Sequence, residues 1–334
     1  MSRFLRLNGL SAIPPELRGG IVAIGNFDGC HLGHQAVFTC ALEKARELGV
    51  PALVLTFEPH PRDVFAPEPF MFRLTGADAK ARIAEGVGMD GVVIAPFDRE
   101  FATIEAEDFV DRFLVEALGA RGVVVGADFH FGKARRGTPE FLRAAGQARG
   151  FEVTQIGLLE DGYEPVSSSR VRAALAAAEL ETANRLLGYH WFVEGEVVVG
   201  DRRGRELGFP TANIAMPESF QLAQGVYAVR ARVGDDLFDG VASFGKPMFD
   251  AGPPPFETHL FDTDRDLYGA HMAVALLGFV RGQMKFDGLD ALISAMHDDS
   301  ARARQMISEA RALSALDIHL GFFAQGDKGS GRAG

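Results

Sequence analysis

The chain has 334 residues, 47% of them hydrophobic, and carries 45 acidic against 34 basic side chains for a net charge of −11. That length accommodates two domains, the apolar content excludes wholesale disorder, and the acidic balance argues against a general nucleic-acid binder. Two cysteines, Cys30 and Cys40, supply no disulfide framework, and no long apolar stretch follows Met1, so the reading expects a cytoplasmic protein with neither signal peptide nor membrane span.

Through the first half, apolar strand-like runs recur at 21–25, 52–57, 91–95, 122–126 and 153–156. Helical patterns separate them: one sets Val37, Ala41, Ala45 and Leu48 along a face, and others cover 106–118 and 139–149. Buried strands alternating with amphipathic helices predict a parallel sheet with helices on both faces. In such sheets ligands sit beyond the carboxyl ends of the strands. The segments 25–34, 58–61 and 126–132 fall there.

The first of these reads Gly25-Asn26-Phe27-Asp28-Gly29-Cys30-His31-Leu32-Gly33-His34. A turn of small and acidic residues leads into a helix start with two histidines around a glycine. Gly33 admits close backbone approach, the helix N-terminus offers free N–H groups, and imidazoles three apart share a helical face, so the segment suits a nucleotide phosphate. Two such histidines also occur as surface residues or as half of a metal site. Zinc would need a third ligand, and only Cys30 lies nearby. Cys30 reads as a plain small residue of the loop; the alternative is a thiolate, favoured by the helix N-terminus, that would make the site sensitive to oxidation. Further on, Ser167, Ser168 and Ser169 precede a helical stretch at 173–178, with Arg172 directed toward the same anion, or they form an ordinary N-cap. Three basic clusters adjoin glycines or serines: Lys133, Arg135 and Arg136; Arg170 and Arg172; Arg202, Arg203 and Arg205.

Near Leu187-Gly188-Tyr189 the rhythm changes. Short β-like runs follow at 192–199, 226–233, 237–243, 257–261 and 272–276, which predict a small antiparallel barrel closed by a helical tail over 289–315. The expected organisation is a domain over 1–187, a second over 188–325, and a disordered end over 326–334. Within the second, Gly200, Gly204, Arg205, Gly208, Phe209 and Pro210 belong to a glycine-rich loop running into Thr211-Ala212-Asn213. Glycines permit a tight wrap around phosphates, and Thr211 and Asn213 offer neutral oxygens suited to Mg²⁺, although a glycine-rich turn by itself is also an ordinary hairpin.

The motifs at 25–34, 56–61 (Thr-Phe-Glu-Pro-His-Pro), 126–132 (Gly-x-Asp-Phe-x-Phe-Gly) and 167–172 (Ser-Ser-Ser-x-x-Arg) together resemble the HxGH nucleotidylyltransferases. More narrowly they resemble the adenylyltransferase module of bifunctional bacterial riboflavin kinase/FAD synthetase. The loop at 200–213 is similar to the flavokinase signature, as are 266–269 and Arg281-x-x-x-Lys285-Phe286. The resemblance implies a Rossmann-like nucleotidylyltransferase domain and a flavokinase-type barrel with a C-terminal helix. It implies that His31, His34, Ser167, Ser168 and Arg172 contact ATP phosphates, that Gly25, Asn26, Phe27, Asp28, Gly33 and Ser169 line the same site, and that Asp128 and Phe129 help hold the flavin. Glu257 stands at the family's catalytic-base position. The implied ligands are Mg²⁺, ATP, riboflavin, FMN and FAD. Residues 245–249 depart from the family pattern, so the alternative is an FMN adenylyltransferase whose barrel has lost kinase function. Small molecules are the expected partners, with no nucleic acid and no membrane; a homo-oligomer stays open.

Overall fold

The structure, a computed structural model, describes residues 4–68, 70–199, 208–245 and 255–324. The expected disordered end lies outside the described residues, as do Gly200, Arg202, Arg203, Gly204, Arg205 and the departure at 246–249. The chain divides into two compact units, Met1–Ser168 and Ser169–Gly334.

The first unit contains strands β1 (Leu5–Asn8), β2 (Ile21–Ile24), β3 (Ala52–Glu58), β4 (Gly91–Pro96), β5 (Gly122–Gly126) and β6 (Glu152–Ile156). They form one sheet in the order β1-β4-β3-β2-β5-β6, and every pair is parallel. Parallel strands covered on both sides need unbroken apolar runs, and those runs made five of the six legible. On one face Val22, Ile24, Leu53, Leu55, Val93, Val123 and Val125 pack with Phe109, Val110, Leu114 and Leu118 of the helical segment Ala106–Phe109 and its wider continuation Val110–Ala117. The alternate set, Ile21, Ala23, Val54, Val92 and Val124, is buried too, and the helix Leu32–Leu48 lies against β2, β3 and β5. Helices Ala77–Val87 and Pro139–Arg149 pack on β4 and β6. The strand order turns back at β2, which has β3 on one side and β5 on the other. In an open parallel sheet that reversal opens a crevice beyond the strand ends, between the loops that follow β2 and β5. A short hairpin, β7 (Glu160–Asp161) with β8 (Glu164–Pro165), leads to the helix Ser168–Ala176.

The second unit is a closed antiparallel barrel of β9 (Phe192–Val198), β10 (Ala212–Ile214), β11 (Gly225–Val233), β12 (Asp236–Phe244), β13 (Phe256–Leu260) and β14 (His271–Gly282), ordered β10-β13-β12-β11-β14-β9. β10, absent from the sequence-based expectation, is the three-residue strand that completes closure. Alternation in β13 buries Phe256, Thr258 and Leu260 and turns Glu257 and His259 to the other face. The expected tail helix is two helices. Leu289–Glu309 packs on β11, β12 and β14 and ends where Ala310 turns extended. Ala315–His319 is fastened separately, because buried Asp317 accepts from the His190 and Leu313 N–H groups (3.0 Å each) and meets His190 Nδ1 at 2.7 Å. A Cβ on Gly278 would lie 2.6 Å from the Met306 methyl, so the glycine sets how closely the long helix approaches β14.

Candidate active sites

Beyond β2 the chain makes a tight loop in which Phe27, Gly29 and Cys30 all take positive φ. His31 then caps the helix Leu32–Leu48, its Nδ1 accepting from the His34 N–H at 3.4 Å. The two imidazoles stack at 3.7 Å between centroids, and the Phe27 ring meets His34 edge-on. A Cβ on Gly33 would sit 3.2 Å from the His31 ring, so glycine leaves the room that this ring occupies. Burial, with His31 and Lys80, pushes His34 well below the usual histidine range, and its buried Nδ1 has no hydrogen-bond partner. The imidazole is therefore neutral near pH 7.

Asp28 is 2% exposed and turned away from solvent. Its carboxylate accepts from the Leu74 and Thr75 N–H groups (3.0 and 3.1 Å), while Gly29 N–H donates to Thr75 Oγ1 (2.8 Å). Asn26 is exposed; its carbonyl accepts from Thr56 Oγ1 at 3.1 Å. Ser168 Oγ donates to the Asp28 carbonyl at 2.8 Å, which brings the start of the serine motif to this loop. Ser167 and Ser168 are half-buried, whereas Ser169 is exposed. Ser168 and Arg172, four residues apart, share a face of the helix Ser168–Ala176. The helix begins five residues before the expected stretch at 173–178.

The loop after β5 brings Asp128 and Phe129 to the same end of the sheet. Asp128 is exposed, its carbonyl 2.9 Å from His130 Nδ1, and half-buried Phe129 stacks on Phe131 at 5.5 Å. After β3, buried His60 caps the helix Pro61–Val64 by accepting from Arg62 N–H (3.2 Å), and burial pushes its imidazole down to about 4.

In the barrel, strand pairing sets Asn213 opposite Glu257 and Ala212 opposite Thr258. Residues directly opposite have neighbouring side chains on one face, so Asn213 and Glu257 stand side by side. Asn213 Oδ1 and Thr258 Oγ1 are both buried without a hydrogen-bond partner. Gly208 takes a positive φ, and buried Phe209 meets His259 and His297 edge-on. His259 Nδ1 lies 2.9 Å from the Pro210 carbonyl, which can only accept, so that nitrogen carries the hydrogen. A cavity opens beside this strand, lined by Val197, Pro210, Thr211, Ala212, Thr258 and Leu260 with the loop 263–268. Sequence reasoning had not singled out Thr258, Thr75 or Lys80. Their partners lie across a ladder or far along the chain, and no local pattern signals them.

The sequence model of the FAD synthetase family matches residues 13–170, and that of the riboflavin kinase family matches 187–307. A bifunctional riboflavin kinase/FMN adenylyltransferase from Pseudomonas fluorescens is 41% identical over 316 residues, covering 94% of this chain and 99% of that protein. Its counterpart from Escherichia coli K12 is 38% identical over 301 residues, covering 90% and 96%. The chain belongs to the bifunctional riboflavin kinase/FMN adenylyltransferase family. A crystal structure described as a macrolide-efflux protein from Streptococcus pneumoniae has the same fold, with a TM-score of 0.77, 29% identity and coverage of 90% of this chain and 98% of that one. Among the described residues of this family member, no helix is long and apolar enough to cross a membrane.

At Cys30 the structure fits the plain small-residue reading and not the oxidation-sensitive alternative. The thiol is fully buried, its Sγ donates to the Phe27 carbonyl (3.1 Å), and desolvation pushes its pKa up to about 12. Loss of hydration outweighs the helix N-terminus and the Lys80 charge, both of which favour the thiolate.

Proposed function

We propose that this bifunctional enzyme divides its labour at about residue 187, with FMN adenylylation carried by 1–187 and riboflavin phosphorylation by 188–325. Kinase chemistry converts riboflavin and ATP to FMN and ADP. Adenylyl transfer then converts FMN and a second ATP to FAD and pyrophosphate. The observation that carries the adenylylation reading is His31 capping the helix beyond β2, where the sheet order reverses.

In that step an FMN phosphate oxygen attacks the α-phosphorus of ATP and pyrophosphate leaves, so no side-chain nucleophile is needed. His31, His34, Ser167, Ser168 and Arg172 stabilise charge on the α-phosphate and the departing pyrophosphate. Gly25, Asn26, Phe27, Asp28, Gly33 and Ser169 shape the surroundings, and Asp128 and Phe129 hold the flavin. The neutral His34 acts as a hydrogen-bonding group rather than a fixed cation.

In the kinase step Glu257 accepts the proton of the ribityl 5′-hydroxyl as that oxygen attacks the γ-phosphorus, and ADP leaves. Gly200, Gly204, Arg205, Gly208, Phe209 and Pro210 wrap the nucleotide. The residues present fit Mg²⁺: buried Asn213 Oδ1 has no hydrogen-bond partner, and Thr211, two residues earlier in the chain, carries a second neutral oxygen. Thr211 and Asn213 would hold Mg²⁺, which would supply neutralisation of phosphate charge, and Glu257 takes the proton. A reducing cytoplasm fits the free thiols Cys30 and Cys40.

The test is chromatography of flavins after incubation with riboflavin, ATP and Mg²⁺, and in parallel starting from FMN. FMN followed by FAD is the expected result. FAD from FMN with riboflavin untouched would assign the chain to adenylylation alone.

A further inference from the structure

The adenylylation loop is anchored by a partly buried ion network that no catalytic role requires. Lys80, on the helix Ala77–Val87, is only 2% exposed, and its Nζ donates to Glu58 Oε1 at 2.8 Å. Glu58 ends β3, one residue before the Pro59-His60-Pro61 turn, and its two oxygens also accept from Arg73 Nη2 (2.7 and 2.8 Å). Arg73 donates again to the Thr75 carbonyl (3.3 Å), and its Nε lies 3.8 Å from Asp28 Oδ1 with no hydrogen-bond partner. Asp28 in turn holds Leu74 and Thr75, and Thr75 holds Gly29. The chain of contacts therefore runs Lys80, Glu58, Arg73, Asp28, and ends three residues before His31.

Lys80 and Asp28 are buried while the Arg73 and Glu58 side chains keep 21% and 19% of their exposure. Taking such charges out of water costs more than an apolar core of the same volume would, so stability alone is a weak reason for this arrangement. Its geometry offers a better one. Burial opposes ionisation of Glu58, yet Lys80 and Arg73 outweigh that and hold it below the usual carboxylate range. The ionised carboxylate then fixes Arg73, whose free Nε faces Asp28. Two loops beyond the strand ends, at 25–31 and 59–61, are thus set from one carboxylate.

We propose that Glu58 and Lys80 are positioning residues for adenylyl transfer, acting through Arg73 and Asp28 to set the loop that carries His31. This rests on the reading of 25–34 as the adenylylation site. A misplacement of a catalytic group by about 1 Å costs on the order of 10²-fold, which is the scale expected here.

Three variants of the full chain test it: Glu58→Gln, Lys80→Met and the pair together. Glu58→Gln leaves buried Lys80 without its charged partner, so it lowers both thermal stability and FAD formation. The double variant removes both charges, so stability returns toward that of the parent while Arg73 has lost its ionised hydrogen-bond partner and keeps only neutral acceptors. The expected result is a kcat for FAD formation from FMN reduced on the order of 10- to 100-fold in the double variant. KM values for FMN and ATP should stay within about 3-fold, and riboflavin phosphorylation should be unchanged. A double variant that regains kcat along with stability would assign the network to folding alone, and a loss confined to KM would also overturn the proposal. His31→Ala in the same assay reports on the underlying reading: if that variant still makes FAD, the site itself is misassigned.

Discussion

In the α/β unit, the residues beyond β2 owe their places to partners far along the chain: Asp28 to Leu74 and Thr75, Gly29 to Thr75, and the Asp28 carbonyl to Ser168. In the barrel, Asn213 and Glu257 owe theirs to strand register, and Asn213 Oδ1 and Thr258 Oγ1 have no hydrogen-bond partner. A loop-borne site needs side chains to hold it, and Asp28 is taken up in that work. A strand-borne site inherits its geometry from backbone pairing and leaves polar atoms for ligands. The first should therefore be sensitive to substitutions at a distance, and the second mainly to loss of the ligand-facing groups themselves.

The largest effect that would sharpen this contrast is at Glu257. Glu257→Gln keeps shape and removes the proposed base, so kcat for FMN formation should fall on the order of 10²–10⁴-fold, with FAD formation from FMN intact in the same preparation. Next is His31→Ala, for which FAD formation should drop on the order of 10²–10³-fold while phosphorylation of riboflavin continues. Loss of both activities in either variant would break the assignment of separate sites. Gly33→Ala is subtler. Alanine favours helix over glycine by about 0.5–1 kcal/mol, yet its Cβ crowds the His31 ring, so thermal melting should be unchanged or higher while FAD formation slows about 10-fold. A rate equal to the parent's would show that the ring's exact seat is unimportant.

The smallest effect concerns pH. His34 and His60 bind protons less readily when folded than when unfolded, because burial disfavours their charged forms. Between the ordinary histidine value of 6.5 and about 4 the unfolded chain then holds more protons, so stability is full above that window and declines as pH falls through it. Calorimetry at pH 7 and pH 5 should show the α/β unit melting lower at pH 5. His60→Asn, which keeps an acceptor for the Arg62 N–H, should flatten that slope; an unaltered slope would remove His60 from the account.

The parallel strands were legible because two covered faces demand continuous apolar runs such as 122–126. β1 was not, since it is a four-residue edge strand in which half-buried and exposed positions alternate. The helix Ala77–Val87 escaped notice because its buried positions include Lys80 among small alanines, a weak apolar stripe. β10 has only three residues, and the register of Asn213 with Glu257 becomes visible only when the barrel closes. At the first candidate site, the HxGH spacing singled out the two histidines whose rings stack at 3.7 Å. The function of Asp28 was beyond reach, because its partners lie 46 and 47 residues away.

The sealed thiol of Cys30 also has an experimental use. A group whose pKa stands at about 12 and whose sulfur is shut off from water cannot react with an alkylating reagent until its loop opens. With Cys40 replaced, the chain holds one such group, in the segment that leads to His31. Its labelling rate becomes a clock for local opening, and added ATP should slow that clock in proportion to how firmly nucleotide holds the loop shut.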